Sequence, residues 1–302
     1  MPLRPEQVFV LLAAFFGILF LLLTPPFQSP DENRHFYRAY HISQGSIFAT
    51  KMDGRVGGFL PKKVKESLTP FVDMQARIEV KTSRDTIFSA ISMKSDGNLE
   101  FVDFPSMAVY TPISYIPQAF GIRLARVFSN SAIIALYAGR LMTLICWIIA
   151  LFYAIRITPI FKWLFVALAL LPMSVFIHSS LNADMITNAV VFLFVAFMLK
   201  QAFSEEKQSK RNFLTTALLV FLLASAKFIY APLLLLFLLI PLKNFTDKKQ
   251  FFFRIGMLFS LALLTVICWP IIQGVGYVSS DDYNPAYLHS VNLYTCADVG
   301  DQ

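Results

Sequence analysis

Seven apolar runs, each near the length of a bilayer crossing, leave this chain few choices of architecture. A helix needs about 20 apolar residues to cross the hydrocarbon. The runs lie at Val8 to Thr24, Ser131 to Ile155, Ile160 to Phe176, Met185 to Phe203, Phe213 to Ser225, Phe228 to Leu242 and Phe251 to Ile272. The fifth and sixth are short and flank Lys227. They form either two short spans meeting at a tight turn or the arms of one broken hairpin. With 56% hydrophobic residues and 31 Phe, the chain is too apolar for a soluble domain. The expected fold class is an all-α polytopic membrane protein, with a long outer loop carrying interfacial helices and a small β element.

The formal charge of +7 invites a nucleic-acid partner, but the positions of the cations argue against one. Arg4, then Arg156 and Lys162, then Lys200, Lys207, Lys210 and Arg211, then Lys243, Lys248, Lys249 and Arg254 mark alternate loops. Short-loop cations stay in the cytoplasm, so the charge reports orientation in a cytoplasmic (inner) membrane, with membrane lipid as the surrounding partner and no nucleic acid. The N-terminus is then cytoplasmic. The expected division is a first span at 1–24, an extracytoplasmic loop at 25–130, a helical bundle at 131–272 and an extracytoplasmic tail at 273–302. The first run is read as retained, because Pro25-Pro26 is a poor signal-peptide cleavage site. Cys146, Cys268 and Cys296 show neither a disulfide framework nor metal-ligand spacing.

Within the long loop, Pro112 to Phe128 carries Pro117, Arg123 and Arg126, and is expected as a juxtamembrane helix whose arginines snorkel to water. Segments Arg77 to Val80, Thr86 to Met93 and Leu99 to Asp103 are rich in β-branched and aromatic residues around Ser95-Asp96-Gly97-Asn98, predicting a strand pair closed by an Asp-Gly turn. Gly54, Gly57, Gly58 and Pro61 mark a mobile approach to it. A loop of this length either covers a site or decorates the surface.

The first run ends in Pro25-Pro26-Phe27-Gln28-Ser29-Pro30-Asp31-Glu32. Ser29 as N-cap, Pro30 at the first helical position and Glu32 at the third predict a capping box. Acids in a first turn are ordinarily only acids in a first turn. Their neighbours give them more interest: Asp31, Glu32, Arg123, Arg126, Arg140, Asp184, Lys227, Asp281 and Asp282 are all expected on one membrane surface.

Beyond this acidic turn come Arg34 and Tyr37, then Tyr110-Thr111-Pro112-Ile113-Ser114-Tyr115-Ile116-Pro117, then Tyr137-Ala138-Gly139-Arg140-Leu141. With Ser180-Leu181-Asn182-Ala183-Asp184 and Ala226-Lys227-Phe228-Ile229-Tyr230-Ala231-Pro232, this order resembles the GT-C superfamily of integral-membrane glycosyltransferases. More narrowly, it resembles the bacterial membrane-protein family catalogued as domain of unknown function 2142. Each motif is short, and their order and shared side carry the likeness. The resemblance implies a GT-C-like bundle that moves a sugar from a polyprenyl-phosphate carrier to a glycan, lipid or protein acceptor at the outer face. Such a hexosyl- or pentosyltransferase would serve cell-surface glycan assembly. The family's first-loop acid corresponds to Asp31 and its carrier-facing arginine to Arg140. The chain ends short of the superfamily's outer C-terminal domain, so it reads as a fragment or a shortened version.

In that chemistry the donor needs a cation for its phosphate, which a planar guanidinium fits best. Arg140 is the first candidate and Lys227 the second. Asp31 is the expected general base for the acceptor hydroxyl, and Glu32 a helix cap or support. Arg34, Tyr37, His178 and Asp184 are expected as further support, although Asp184 can also be read as the cap of its span and Arg140 as an interfacial anchor. No cofactor is required. A divalent metal between Asp31 and a phosphate, with His35, His41 or His178, is the lesser expectation, because no histidine pair has four-residue ligand spacing. A transporter or lipid flippase, or a non-catalytic anchor or sensor, are the competing readings.

Overall fold

The computed structural model describes residues 3–74, 79–94 and 97–274. Asp281, Asp282, Cys296, Arg77, Ile78, Ser95 and Asp96 lie outside the described residues. Helix α1 (Pro5–Leu23) leads through a turn to α2 (Glu32–Ser43). The first loop then folds as β1 (Thr50–Met52), β2 (Arg55–Pro61), α3 (Lys62–Glu66), α4 (Arg84–Ser92), β3 (Leu99–Asp103) and α5 (Pro105–Ala108). Next come α6 (Ile116–Phe128), α7 (Ala132–Ile157), α8 (Lys162–Ala169), α9 (Pro172–His178), α10 (Asp184–Ala202), α11 (Lys210–Ala226), a 3-10 stretch (Phe228–Leu239) and α12 (Lys248–Gln273). Among the described residues, four helices are long and apolar enough to cross a bilayer: α1, α7, α10 and α12. The chain is thus an all-α polytopic membrane protein bearing one small sheet.

Two expected spans take another form. The third is broken into α8 and α9 because Pro172 occupies the first position of α9, and proline cannot continue the hydrogen-bond ladder of the preceding turn. The sixth winds as a 3-10 helix with Pro232 inside. Its twelve residues extend farther than an α-helix of equal length, since the rise is about 2.0 Å per residue. Between α11 and this stretch Lys227 is extended, at φ −150° and ψ 118°.

The first loop is a folded module rather than a mobile approach. Strands β1, β2 and β3 form an antiparallel sheet in that order. Asp53 and Gly54 both have positive φ (50° and 73°) between Met52 and Arg55, which pair, as a two-residue primed hairpin turn requires. An Asp-Gly hairpin turn thus stands at Asp53-Gly54, which sequence reasoning did not single out as a turn, while Asp96 of the expected turn lies outside the described residues. Thr86 to Met93 is not a strand. It lies in and just beyond α4, whose N-cap Ser83 accepts from Thr86 N. Gly57 and Gly58 are needed for close approach: a Cβ on Gly57 would stand 2.0 Å from Val102 O, and one on Gly58 2.4 Å from the His41 ring.

Val56, Leu60, Val64, Phe71, Ala90, Val102 and Phe104 bury against Phe27, Phe36, Tyr37 and Tyr40 in one cluster. Burying such side chains is worth about 1.5–3 kcal/mol each, so the module and α2 form one cooperative body. On the other flank α6 packs on α7 at Gly121, where a Cβ would lie 2.5 Å from Ala138 O.

The bundle has two distinguishable ends. Gln208 N donates to Asn244 O (2.7 Å) and Asn244 Nδ2 to Ser204 O (2.8 Å), joining the loop after α10 to the loop before α12. At the opposite end, Trp269 Nε1 donates to Val109 O (2.9 Å), Gln273 Nε2 donates to Ala108 O, and Thr111 Oγ1 donates to Ser225 O (2.9 Å). The last turns of α11 and α12 are thereby tied to the first-loop module, and this is called the loop end below.

Candidate functional site

The turn between α1 and α2 is built on backbone conformations that side chains rarely adopt. Phe27 and Asp31 have φ of 63° and 55°, each costing of order 1–3 kcal/mol unless the surroundings enforce it. Glu32 enforces it. Its carboxylate is fully buried and accepts from Phe27 N (3.0 Å), Leu181 N (2.9 Å), Arg140 Nε (2.7 Å) and Arg140 Nη2 (2.5 Å). The expected capping box is therefore absent. Asp31, not Ser29, is the N-cap residue, without a side-chain cap bond, and Ser29 Oγ is buried without a partner among the described residues.

Arg140 is equally committed. Beyond the two bonds to Glu32, Nη1 donates to Thr24 O (2.7 Å) and Leu21 O (3.4 Å), and Nη2 donates to Pro25 O (2.9 Å). Five N–H groups is all a guanidinium has. With no exposed surface and no donor to spare, Arg140 in this arrangement fastens α7 to the end of α1 and the start of α2.

One residue earlier the chemistry changes. Asp31 is exposed, and its carboxylate has no hydrogen bond or ion pair among the described residues. His35, one turn along α2, shares a 2.8 Å hydrogen bond through Nδ1 with the Tyr115 hydroxyl. Tyr115 is fully buried, and this is its hydroxyl's only partner among the described residues. Buried hydroxyls satisfy their proton by donating it, and on that ground the Tyr115 hydroxyl is assigned as donor to Nδ1, with the ring proton on Nε2. Burial lowers the His35 pKa to about 4 despite the opposing pull of Asp184, Asp31 and Glu32. The ring is then neutral at pH 7 and presents an N–H.

Lys227 completes the group. Its ammonium pairs with Asp184 and lies 5.7 Å from the centre of the Tyr110 ring, and the Tyr110 ring stands 6.5 Å from those of His35 and Tyr115. The Lys227 and Asp184 side chains are 29% and 43% exposed. Asp184 is not the cap of α10. Asn182 Oδ1 takes that role by accepting from Asp184 N (2.8 Å) and Met185 N (3.1 Å), which frees the Asp184 carboxylate for Lys227.

The remaining expected residues separate from this group. Tyr37 is buried in the cluster beneath the sheet, its hydroxyl unpaired among the described residues and its pKa raised by burial. His178 stacks on Trp147 at 4.5 Å and 8°, its Nδ1 on Ser174 O (2.5 Å) and its Nε2 on Asn188 Nδ2 (3.1 Å). A ring so satisfied is part of the bundle's packing. Arg34 is half-buried and has no ion pair among the described residues. His41 lies against Arg38 Nη1 (3.3 Å) and Phe104. Among the described residues no three of His, Cys, Asp and Glu come close enough to hold a metal ion.

Sequence reasoning did not single out Tyr110 and Tyr115 as partners of His35. The available signal was their place in Tyr110-Thr111-Pro112-Ile113-Ser114-Tyr115, an aromatic and proline-containing entry to α6 in which Tyr115 ends the 3-10 turn begun at Pro112.

These features define a polytopic helical membrane protein whose loop end gathers an exposed acid, a neutral imidazole and a half-exposed ion pair. The chain belongs to the family described as predicted membrane protein, DUF2142, which it matches over residues 12–287. No curated protein and no solved structure matches it.

Proposed function

We propose that the protein transfers a sugar from a polyprenyl-phosphate carrier to an acceptor hydroxyl at the loop end, and that this end faces the extracytoplasmic side of the inner membrane, a reading supported by the positions of the short-loop cations. The observation that carries this reading is the grouping of Asp31, His35 and Lys227, one acid, one neutral donor and one cation, beside apolar helices fit to hold a lipid tail.

In the step, the bond between sugar C1 and the phosphate oxygen breaks as the acceptor oxygen bonds to C1, through an oxocarbenium-like state. Polyprenyl phosphate departs with the bonding electrons and needs no proton. Lys227 holds its oxygens, exchanging its partner Asp184 for the phosphate, and His35 Nε2–H donates to a phosphate or sugar oxygen. Asp31, unencumbered, takes the acceptor's proton. Arg140 is a positioning residue here: with Glu32 it holds the strained turn that presents Asp31.

The test supplies purified protein with a polyprenyl-phosphate sugar and measures release of polyprenyl phosphate. Asp31→Asn is expected to stop release while leaving the melting temperature unchanged. Undiminished release from that variant would remove the assigned base.

A second reading, transport or flipping of a lipid, draws support from the interrupted geometry at Lys227 and the Pro232-containing 3-10 stretch, since broken helices line transport sites. Movement of the carrier lipid across vesicles without sugar transfer would favour it.

A further inference from the structure

A cleft of about 400 Å³ opens between the C-terminal ends of α2 and α6, lined by Ser43, Gln44, Arg123, Arg126 and Val127. It is separate from the group around Asp31. The twelve residues of α2 put it about 18 Å away along the helix axis. The Arg126 guanidinium lies 4.8 Å from the centre of the Tyr40 ring and donates through Nη1 to Ser43 Oγ (3.3 Å). These contacts set its position and leave other N–H groups open. Arg123 is exposed and has no carboxylate partner among the described residues. Gln44 Oε1 is buried without a partner among the described residues.

Two helix C-termini meet here, and their partial negative charge opposes an anion. At α2, however, Gln44 N and Ser43 Oγ both donate to Tyr40 O (3.2 and 2.6 Å), so that carbonyl is already satisfied. Two full positive charges outweigh what remains.

The flank of the cleft is apolar. Ile116, Phe120, Leu124, Val127 and Phe128 of α6 are exposed at a spacing that makes one stripe along the helix. The opposite face, with Gln118, Ala119, Gly121 and Ile122, is buried. In a membrane protein such a stripe faces acyl chains, and Val127 belongs both to it and to the cleft. A ligand filling this place carries a phosphate for the arginines and an apolar tail for the stripe. Guanidinium groups match phosphate oxygens in pairs.

We infer that the Arg123 and Arg126 cleft is a binding site for an anionic phospholipid, held through its headgroup phosphate with its acyl chains along α6.

The test is native mass spectrometry of the full-length protein in a non-ionic detergent, titrated with phosphatidylglycerol, with zwitterionic phosphatidylcholine, or with inorganic phosphate as competitor. The expected result is a saturable phosphatidylglycerol adduct, which millimolar phosphate leaves in place and phosphatidylcholine does not reproduce. Removing both cations, as Arg123→Ala with Arg126→Ala, should weaken it about tenfold or more, because each surface cation near anionic lipid contributes about 1 kcal/mol. Arg126 also supports Tyr40 and Ser43, so the exposed single variant Arg123→Glu is the folding-safe arm and should weaken the adduct comparably. The inference is overturned if phosphatidylglycerol binds these variants as it binds the wild type, or if phosphatidylcholine binds equally well. Displacement of the adduct by inorganic phosphate would assign the cleft to a free anion and overturn the lipid.

Discussion

Glu32 with Arg140, and Asp184 with Lys227, are both carboxylate and cation pairs at the same end of the bundle, yet their surroundings give them opposite characters. The first pair has no exposed surface and spends every donor of Arg140 on protein oxygens. The second is half open to its surroundings and rests beside one aromatic face. Charge that is buried and saturated becomes architecture, because releasing either partner would strand the other away from water. Charge that is paired but accessible can exchange its partner for a ligand. The contrast explains why the arginine, the better phosphate fork in principle, is the worse candidate in place.

The sharpest way to break this comparison is to cut the buried pair. Arg140→Ala or Glu32→Ala should each cost about 3–5 kcal/mol, read as loss of folded protein or a large drop in melting temperature in detergent. A small effect would make the pair dispensable. The converse substitution, Lys227→Ala, should leave the melting temperature close to wild type but lower sugar transfer about 10²-fold, the scale for removing one charged donor from a reacting group. Equal losses of stability from Lys227→Ala and Arg140→Ala would erase the distinction.

Acidity offers a third lever. His35 and His41 both have pKa values lowered to about 4, chiefly by burial and, for His41, also by Arg38. Between about pH 6.5 and 4 the unfolded chain binds protons that the folded one refuses, so stability falls as pH drops through that window and levels off below it. Thermal melts across that range should show this slope, and His35→Gln with His41→Gln should flatten it. The smallest effect is expected from a double-mutant cycle on Asp184 and Lys227. Their coupling should not exceed about 1 kcal/mol, as for exposed pairs generally.

Much of this arrangement was legible from order and periodicity. The apolar runs located α1, α7, α10 and α12, and the alternating cations anticipated that Asp31, Asp184 and Lys227 would share an end. The roles within the end were not legible. Asp31 and Glu32 are adjacent, and a single left-handed residue turns one carboxylate outward and the other into the interior. Local capping rules make Glu32 the partner of its own helix's first turn, whereas it finds its partner 108 residues away. His35 is fixed by a tyrosine 80 residues distant, a pairing no local pattern records. Other signals were present but competed with stronger ones. Pro172 interrupts a run whose hydropathy alone predicts a crossing, and Asp53-Gly54 is a hairpin turn whose flanking strand is rich in glycine for reasons of packing.

The bond between Glu32 and Arg140 also constrains the order of events while the protein is being made. The chain emerges from the ribosome in sequence, so the carboxylate reaches the membrane first and waits while the intervening 108 residues are synthesised, roughly 5–20 s at about 5–20 residues per second. Until α7 arrives the Glu32 carboxylate lacks its arginine, and the last of its hydrogen bonds, from Leu181 N, forms only later still.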